Sequence, residues 1–132
     1  MIRDAETFSI LLDTLRRFVR ERLIPAEQAL VDTDEIPPAI LAEMRKMGLF
    51  GLTIPVEYGG LGLTMEEEVL SSIELCRASP AFRSIAGTNN GIGSQGIVID
   101  GTDAQKKKYL PRLASGELIG SFALTEPGAG SD

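Results

Sequence analysis

The sequence of 132 residues contains no histidine, no tryptophan and a single cysteine, Cys76. Without histidine the chain cannot form a histidine-based triad or a histidine metal site, and it lacks the commonest general base. One cysteine excludes an internal disulfide and a multi-cysteine metal site, and we expect Cys76 to be a small buried residue of a helix core. Chemistry involving this chain must therefore come from a carboxylate or a bound cofactor.

Long apolar runs and targeting features are also lacking. No run approaches the roughly 20 apolar residues of a membrane span. The first six residues show no secretory signal and are too acidic for a typical transit peptide, so we expect a cytoplasmic protein without membrane insertion. The net charge of −6 argues against nucleic acid as a partner. A hydrophobic fraction of 43% is enough for a core, and the length suggests one domain.

Amphipathic helices account for the first third of the chain. Apolar residues recur at helical spacing over residues 4–23, with Asp4 as a plausible N-cap. Pro25 is expected to kink this helix or end it, and a further segment could begin there. Pro37 and Pro38 open a helix to about Met47, with Gly48 as its C-terminal cap.

Two capping boxes predict later helices. Thr64 with Glu67 begins a helix to about Ala78, and Thr102 with Gln105 begins one that ends by Gly116. The first helix is expected to bury Val69, Leu70, Ile73 and Cys76, and the second Tyr109, Leu110 and Leu113. The carboxylates of Glu66, Glu67 and Glu68 favour the helix dipole, and we interpret them as solvated rather than catalytic.

Two glycine-containing stretches allow a structural and a functional interpretation. Residues 49–63 form a loop that either lies near a ligand or is a connector packed by its own apolar residues. Residues 91–96 match G-x-G-x-x-G, but a dinucleotide site is excluded because the preceding residues look helical and no βαβ unit follows. A stripe of mostly small residues instead allows close packing by a helix or a flat ligand; it comprises Ser84, Gly87, Thr88, Gly91 and Gln95.

The last stretch combines a predicted strand with a glycine-rich loop. Residues 120–125 read as a short strand that Pro127 ends, because proline fixes φ and lacks an N–H. Gly128 and Gly130 let backbone approach a ligand, while hydroxyls and free N–H groups can bind an anion. From spacing alone, a surface turn and a binding loop are both compatible with these residues.

A family resemblance separates these alternatives. The run FALTEPGAGSD, residues 122–132, closely resembles the signature of the acyl-CoA dehydrogenase family. The resemblance continues through GTDAQKKKYLP at residues 101–111 and LASGE at residues 113–117. It also includes residues 51–55 and YGGLG at residues 58–62, so it covers nearly the whole chain.

The resemblance implies an all-α fold, a helical bundle that ends in a single β-strand. Residues 1–116 would form the helical N-terminal domain and residues 117–132 the truncated start of a middle β-domain. The implied function is FAD-dependent oxidation of acyl-CoA to 2,3-enoyl-CoA in fatty acid β-oxidation, with hydride transfer to flavin. An acyl-CoA oxidase or related flavoenzyme, or a non-catalytic helical interaction module, remains an alternative.

The resemblance also implies site residues and partners. The predicted cofactor-binding residues are Phe122, Ala123, Leu124, Thr125, Gly130 and Ser131. Thr125 would contact the pyrimidine edge of the flavin, Gly130 and Ser131 the pyrophosphate, and Ser131 also the acyl-CoA substrate. The stripe from Ser84 to Gln95 would line the acyl pocket. No catalytic residue and no metal ligand is assigned, and we expect this chain alone to be inactive. The implied partners are acyl-CoA, an electron-transfer flavoprotein as electron acceptor, and further copies of the chain in a homotetramer.

Overall fold

The computed structural model describes Ile2 and residues 4–130. This part of the chain is helical and contains no β-sheet, which confirms the predicted all-α class. The α-helices are α1 Ala5–Phe18, α2 Ile24–Thr33, α3 Pro38–Lys46, α4 Met65–Leu75, α5 Pro80–Asn90, α6 Gln95–Asp100 and α7 Asp103–Ala114. A π-helical turn, Val19–Leu23, joins α1 to α2, and two 3₁₀ turns, Leu49–Gly51 and Val56–Tyr58, lie between α3 and α4. No helix of the described residues is long and apolar enough to cross a membrane.

The N-terminal helices begin as the sequence predicts, but Pro25 does not end them. Asp4 caps α1 by accepting hydrogen bonds from the backbone N–H groups of Glu6 and Thr7 at 3.1 Å. The π-helical turn lies immediately before α2, in which Pro25 occupies the first turn. A wider turn of this kind accommodates a proline that cannot donate to the preceding turn, so helical backbone continues to Thr33.

The buried apolar residues form two clusters. The main core joins α1, α3, α4 and α5; its largest fully buried side chains include Leu15, Leu23, Met44, Phe50 and Phe82. A smaller core consists of Ile54, Leu110, Leu113 and Ala114, with Leu118 packed against it. The smaller core therefore packs α7 and the residues that follow it against the loop between α3 and α4.

That loop, residues 49–63, is a packed connector held by its own backbone. Gly48 has a φ of 73° and ends α3, as predicted. Leu61 N donates to Gly51 O at 2.8 Å, and Leu63 N donates to Leu52 O at 2.7 Å. Leu52 and Ile54 are buried, whereas Leu61 is 38% exposed. The hydrogen bonds close the loop on itself, and it presents one polar side chain, Thr53, to a neighbouring groove.

Helix α4 begins at the predicted capping box but buries a different face. Val69 is 45% exposed, Ile73 is 53% exposed and Cys76 is exposed, so the predicted burial of these three residues is wrong. Leu70 is half-buried. The buried face carries Glu67, Ser71, Glu74 and Leu75 instead. Helical periodicity identifies a stripe of residues but not the side on which the neighbouring helix packs.

The prediction that the three adjacent glutamates are solvated is correct only for Glu66, which is exposed. Glu67 is 2% exposed, and its carboxylate accepts a hydrogen bond from the backbone N–H of Thr64 at 2.8 Å. Glu68 is half-buried and pairs with Arg83. Burial of carboxylates is tolerated here because each one has a donor within reach.

Glu74 links α4 to α1 by an ion pair. Its side chain is 8% exposed, and its two oxygens accept from Arg16 Nε at 3.1 Å and Arg77 Nε at 2.6 Å. Burial by itself raises the pKa of Glu74, but the hydrogen bonds from Arg16 and Arg77 lower it, and the net pKa lies below the usual 4.5. The charged form of Glu74 therefore stabilises the contact between the two helices.

We expect Glu74→Gln to lower stability at neutral pH but not at strongly acidic pH. A carboxylate whose pKa is lowered by folding contributes stability above its unfolded pKa, and this contribution is lost as pH falls through the folded pKa. Denaturant unfolding of the wild type and of Glu74→Gln between pH 7 and pH 3 measures the difference in their free energies of unfolding. The difference should shrink steadily below the unfolded value of 4.5; a gap that is independent of pH contradicts the assignment.

The end of the described chain departs from the predicted strand. Residues 120–125 form no ladder, and the only strand-like pairing in the described residues is an isolated bridge between Glu126 and Ala129. A strand needs a neighbour to satisfy its backbone groups, and the described residues supply none. The helix before it agrees with prediction, because Thr102 and Gln105 form the capping box of α7 and Leu110 and Leu113 are buried.

Candidate functional site

The segment after α7 leaves the helical body along a defined path. Gly116, with a φ of 73°, ends the helix, and Leu118 N donates to Arg112 O at 3.0 Å. The side chain of Asn89, in α5, bonds to the carbonyl oxygens of Leu113 and Leu118 and to the N–H of Gly120. Residues 118–120, which immediately precede the predicted cofactor-binding residues, are thus hydrogen-bonded to α5 and to α7.

The predicted cofactor-binding residues lie on the surface. Phe122 is 60% exposed and Leu124 is 71% exposed, and Ala123, Thr125 and Gly130 are also exposed. Glu126 N donates to Ala129 O at 2.8 Å and Ala129 N donates to Glu126 O at 3.1 Å, which closes a tight turn over Pro127 and Gly128. Ser131, the predicted pyrophosphate and substrate contact, lies outside the described residues.

The chemistry of this segment fits the flavin that the family resemblance implies. In the described chain no backbone hydrogen bond engages residues 121–125, so their N–H and C=O groups are available to a ligand with polar edges. Phe122 and Leu124 present exposed apolar surface of the kind that a flat aromatic ring covers. A Cβ added to Gly128 or Gly130 would meet no described atom within 4 Å, so a phosphate can approach their backbone.

Part of the stripe of small residues lines a groove of about 280 Å³ beside α5. Gly87, Gly91 and Gln95 lie on its wall, whereas Ser84 lines a neighbouring depression and Thr88 lines neither. The stripe is not one continuous helix, because α5 ends at Asn90 and α6 begins at Gln95. This break also places the G-x-G-x-x-G run after a helix, unlike a dinucleotide-binding fingerprint.

Sequence reasoning missed further residues of this groove: Thr53, Leu63, Met65, Glu68, Arg83 and Asn90. Gln95 Nε2 donates to Thr53 Oγ1 at 3.1 Å, and the Thr53 hydroxyl donates to the Asn90 carbonyl. Arg83 donates to Glu68 and to Ser72, both at 3.3 Å. No signal in the sequence connects the 49–63 loop to α4 and α5, because their juxtaposition depends on how the helices pack.

Asn90 gives the groove a buried acceptor. The residue is 5% exposed, and its Nδ2 donates to Leu49 O at 2.7 Å and Ala86 O at 3.2 Å. Both partners are carbonyl oxygens, so the other side-chain atom is the oxygen Oδ1, and no donor among the described residues reaches it. Oδ1 is itself buried, so the surface that the groove offers to a ligand includes the apolar side chains of Leu63 and Met65 rather than this oxygen.

Comparison with known proteins gives the same family match over nearly the whole chain. The family model described as acyl-CoA dehydrogenase, N-terminal domain, matches residues 5–117. An acyl-CoA dehydrogenase of Bacillus subtilis (strain 168) is 40% identical over 118 residues, which cover 89% of this chain and 31% of the relative. A (2S)-methylsuccinyl-CoA dehydrogenase of Cereibacter sphaeroides is 43% identical over 128 residues, covering 96% of this chain and 23% of the relative.

A solved structure gives the same result in three dimensions. The crystal structure of an acyl-CoA dehydrogenase complexed with FAD from Bacillus anthracis matches with a TM-score of 0.83 and 37% identity. The match covers 98% of this chain and 22% of that chain. The chain thus spans about a quarter to a third of the length of these relatives.

Proposed function

Since this chain belongs to the acyl-CoA dehydrogenase family, we propose that it is the N-terminal part of an FAD-dependent enzyme that oxidises acyl-CoA to 2,3-enoyl-CoA. The observation that carries the proposal is the segment 121–125, whose backbone groups form no hydrogen bond in the described chain, on a helical domain like that of the FAD-complexed relative. The alternative of a non-catalytic helical module offers no reason for a segment whose backbone groups and apolar side chains are both unpartnered in the described chain.

The segment 121–130 supplies part of the cofactor site in this proposal. Phe122, Ala123 and Leu124 lie along the ring system, and the Thr125 hydroxyl bonds to its polar edge. Gly130 and Ser131 offer N–H and hydroxyl donors to the pyrophosphate, where a donor is worth more because the acceptor is charged. When bound, FAD accepts the two electrons of the oxidation.

The residues of this chain bind and orient but do not abstract the substrate proton. No histidine is present, and we assign no carboxylate of this chain as the base. The groove beside α5 is proposed to receive the acyl portion of the substrate, with Gly87 and Gly91 allowing close approach. Thr53, Glu68, Arg83 and Gln95 make part of its wall polar, whereas Leu63 and Met65 make part of it apolar.

The proposal extends to partners of the complete protein. An electron-transfer flavoprotein would reoxidise the cofactor, and a homotetramer would be its assembled state. The exposed apolar residues of the segment, Phe122 and Leu124, would then be covered by cofactor and by the remainder of the polypeptide. The electron acceptor and the tetramer are proposed from family membership alone.

We expect Ser131→Ala to weaken FAD binding by the full-length protein roughly tenfold, because a hydrogen bond to a charged acceptor contributes about 1.5–3 kcal/mol. Thr125→Val should mainly change the flavin absorption spectrum, since its partner is the ring. Titration of each apoprotein with FAD measures both effects. Ser115→Ala is the matched control, because that exposed hydroxyl bonds to Arg112 O at the end of α7. Unchanged affinity in both site variants would mean that the cofactor lies elsewhere.

A further inference from the structure

Asn89 is a buried side chain whose hydrogen bonds all lead to the C-terminal part of the chain. The residue is 0% exposed in α5. Its Nδ2 donates to Leu113 O and to Leu118 O, both at 2.8 Å, and its Oδ1 accepts from Gly120 N at 2.7 Å. Both N–H donors and the oxygen are therefore used, and α5, the end of α7 and the following segment meet at one carboxamide.

Two of these bonds have the pattern of a β-ladder. In a strand, backbone groups that point to one side come from alternate residues, as do the carbonyl of Leu118 and the N–H of Gly120. The carboxamide of Asn89 has the same donor and acceptor as a peptide group. It thus supplies to Leu118 and Gly120 the donor and the acceptor that a neighbouring strand would supply.

A glycine pair reinforces this contact. A Cβ added to Gly120 would lie 2.9 Å from the Cα of Gly93, and one added to Gly93 would lie 3.1 Å from the Cα of Gly120. Backbone therefore packs directly on backbone beside Asn89. A larger residue at either position would move the segment away from the helices.

We propose that Asn89 is a positioning residue that sets the register of the FAD-binding segment. The inference rests on the proposed function. Because side chains alternate along an extended chain, a slip of one residue exchanges the face that carries Phe122 and Leu124 with the face that carries Thr125. By holding Leu118 and Gly120, Asn89 sets where Phe122, Leu124 and Thr125 lie relative to the ring, although it touches no cofactor itself.

The neighbouring residue Asn90 provides the matched control. It has the same chemistry and similar burial, and it also donates to two carbonyl oxygens, those of Leu49 and Ala86. None of its hydrogen bonds reaches residues 118–120. Asn89→Ala and Asn90→Ala both leave buried polar groups unpaired and should both lower the melting temperature of the full-length protein.

FAD titration of the full-length apoprotein distinguishes positioning from simple stabilisation. If the segment spends only about a tenth of its time in the correct register, the apparent Kd for FAD rises about tenfold. We expect this rise for Asn89→Ala, and less than a twofold change for Asn90→Ala. Hydrogen exchange in the apoprotein should accelerate over residues 118–126 for Asn89→Ala only. Equal FAD affinity of Asn89→Ala and wild type overturns the inference.

Gly93→Ala tests the same point without removing the carboxamide. Its methyl group would lie 3.1 Å from the Cα of Gly120 and 2.8 Å from the carbonyl oxygen of Thr88. We expect Gly93→Ala to raise the Kd for FAD, as Asn89→Ala does. If Asn89→Ala does not fold, Gly93→Ala becomes the deciding variant, and an unchanged Kd for that variant overturns the inference. A wild-type protein that binds no FAD refutes the proposed function itself, whereas binding that is unaffected by both variants refutes only the role of Asn89.

Discussion

Gly60→Ala should destabilise this chain severely. A Cβ at this position would lie 2.0 Å from the carbonyl oxygen of Ile54, 2.6 Å from its carbonyl carbon and 2.7 Å from the carbonyl oxygen of Gly51. All three are backbone atoms of the hydrogen-bonded 49–63 loop, so no side-chain rotation relieves the overlap. Relief requires the loop to open, and we expect a cost of several kcal/mol against a total stability of about 5–15 kcal/mol.

Circular dichroism and urea unfolding of the two proteins measure this effect. Gly59→Ala is the matched control, because a Cβ there would meet no described atom within 4 Å. Gly59 has a φ of 84°, so alanine carries only the conformational cost of about 1–2 kcal/mol. Gly59→Ala should therefore fold with a reduced midpoint. A Gly60→Ala protein as stable as Gly59→Ala would show that the loop does not have the described conformation.

Phe50→Ala should lower the free energy of unfolding by about 3–5 kcal/mol. The side chain is fully buried in the main core. Its ring also lies 2.8 Å from the position that a Cβ on Gly116 would occupy, so it supports the end of α7. Removing the ring leaves a cavity between the main core and the helix that leads to the cofactor-binding segment.

Phe122→Ala is the control of identical chemistry at an exposed position. Phe122 is 60% exposed, and its truncation should change the stability of the isolated chain by less than about 0.5 kcal/mol. In the full-length protein the same change should weaken FAD binding, because the ring is proposed to lie along the flavin. Denaturant unfolding and FAD titration of Phe50→Ala and Phe122→Ala separate the effect on stability from the effect on FAD binding. Equal losses of stability in the two variants would contradict the difference in burial.

The starts of several helices could be predicted from sequence because their causes are local. Thr64 with Glu67 and Thr102 with Gln105 both form the predicted capping boxes, and Asp4 caps α1. These motifs depend on residues within one turn of each other, so no knowledge of the tertiary structure is needed. The site residues were assigned by resemblance to a motif, and their roles stay predictions.

The face of α4 could not be predicted from sequence. The helix carries an apolar stripe with Val69 and Ile73 and a second stripe with Glu67, Glu74 and Leu75, and hydrophobicity alone favours burial of the first. Packing against α1 buries the second stripe, because Arg16 reaches Glu74 and compensates its charge. Arg77, one partner of Glu74, lies three residues away, but Arg16, the partner that joins α4 to α1, lies 58 residues away, where no local pattern reveals it.

The sequence by itself determined the helical class, the start of most helices, the family and the segment proposed to bind FAD, since each depends on short-range pattern or on a specific motif. Only the tertiary structure decided which face of α4 is buried, that helical backbone continues through Pro25, and that Thr53 and Asn90 share a groove. It also brought Asn89 to Leu118 and Gly120 across about 30 residues. Contacts of this kind arise from how helices pack, which periodicity along one helix does not specify.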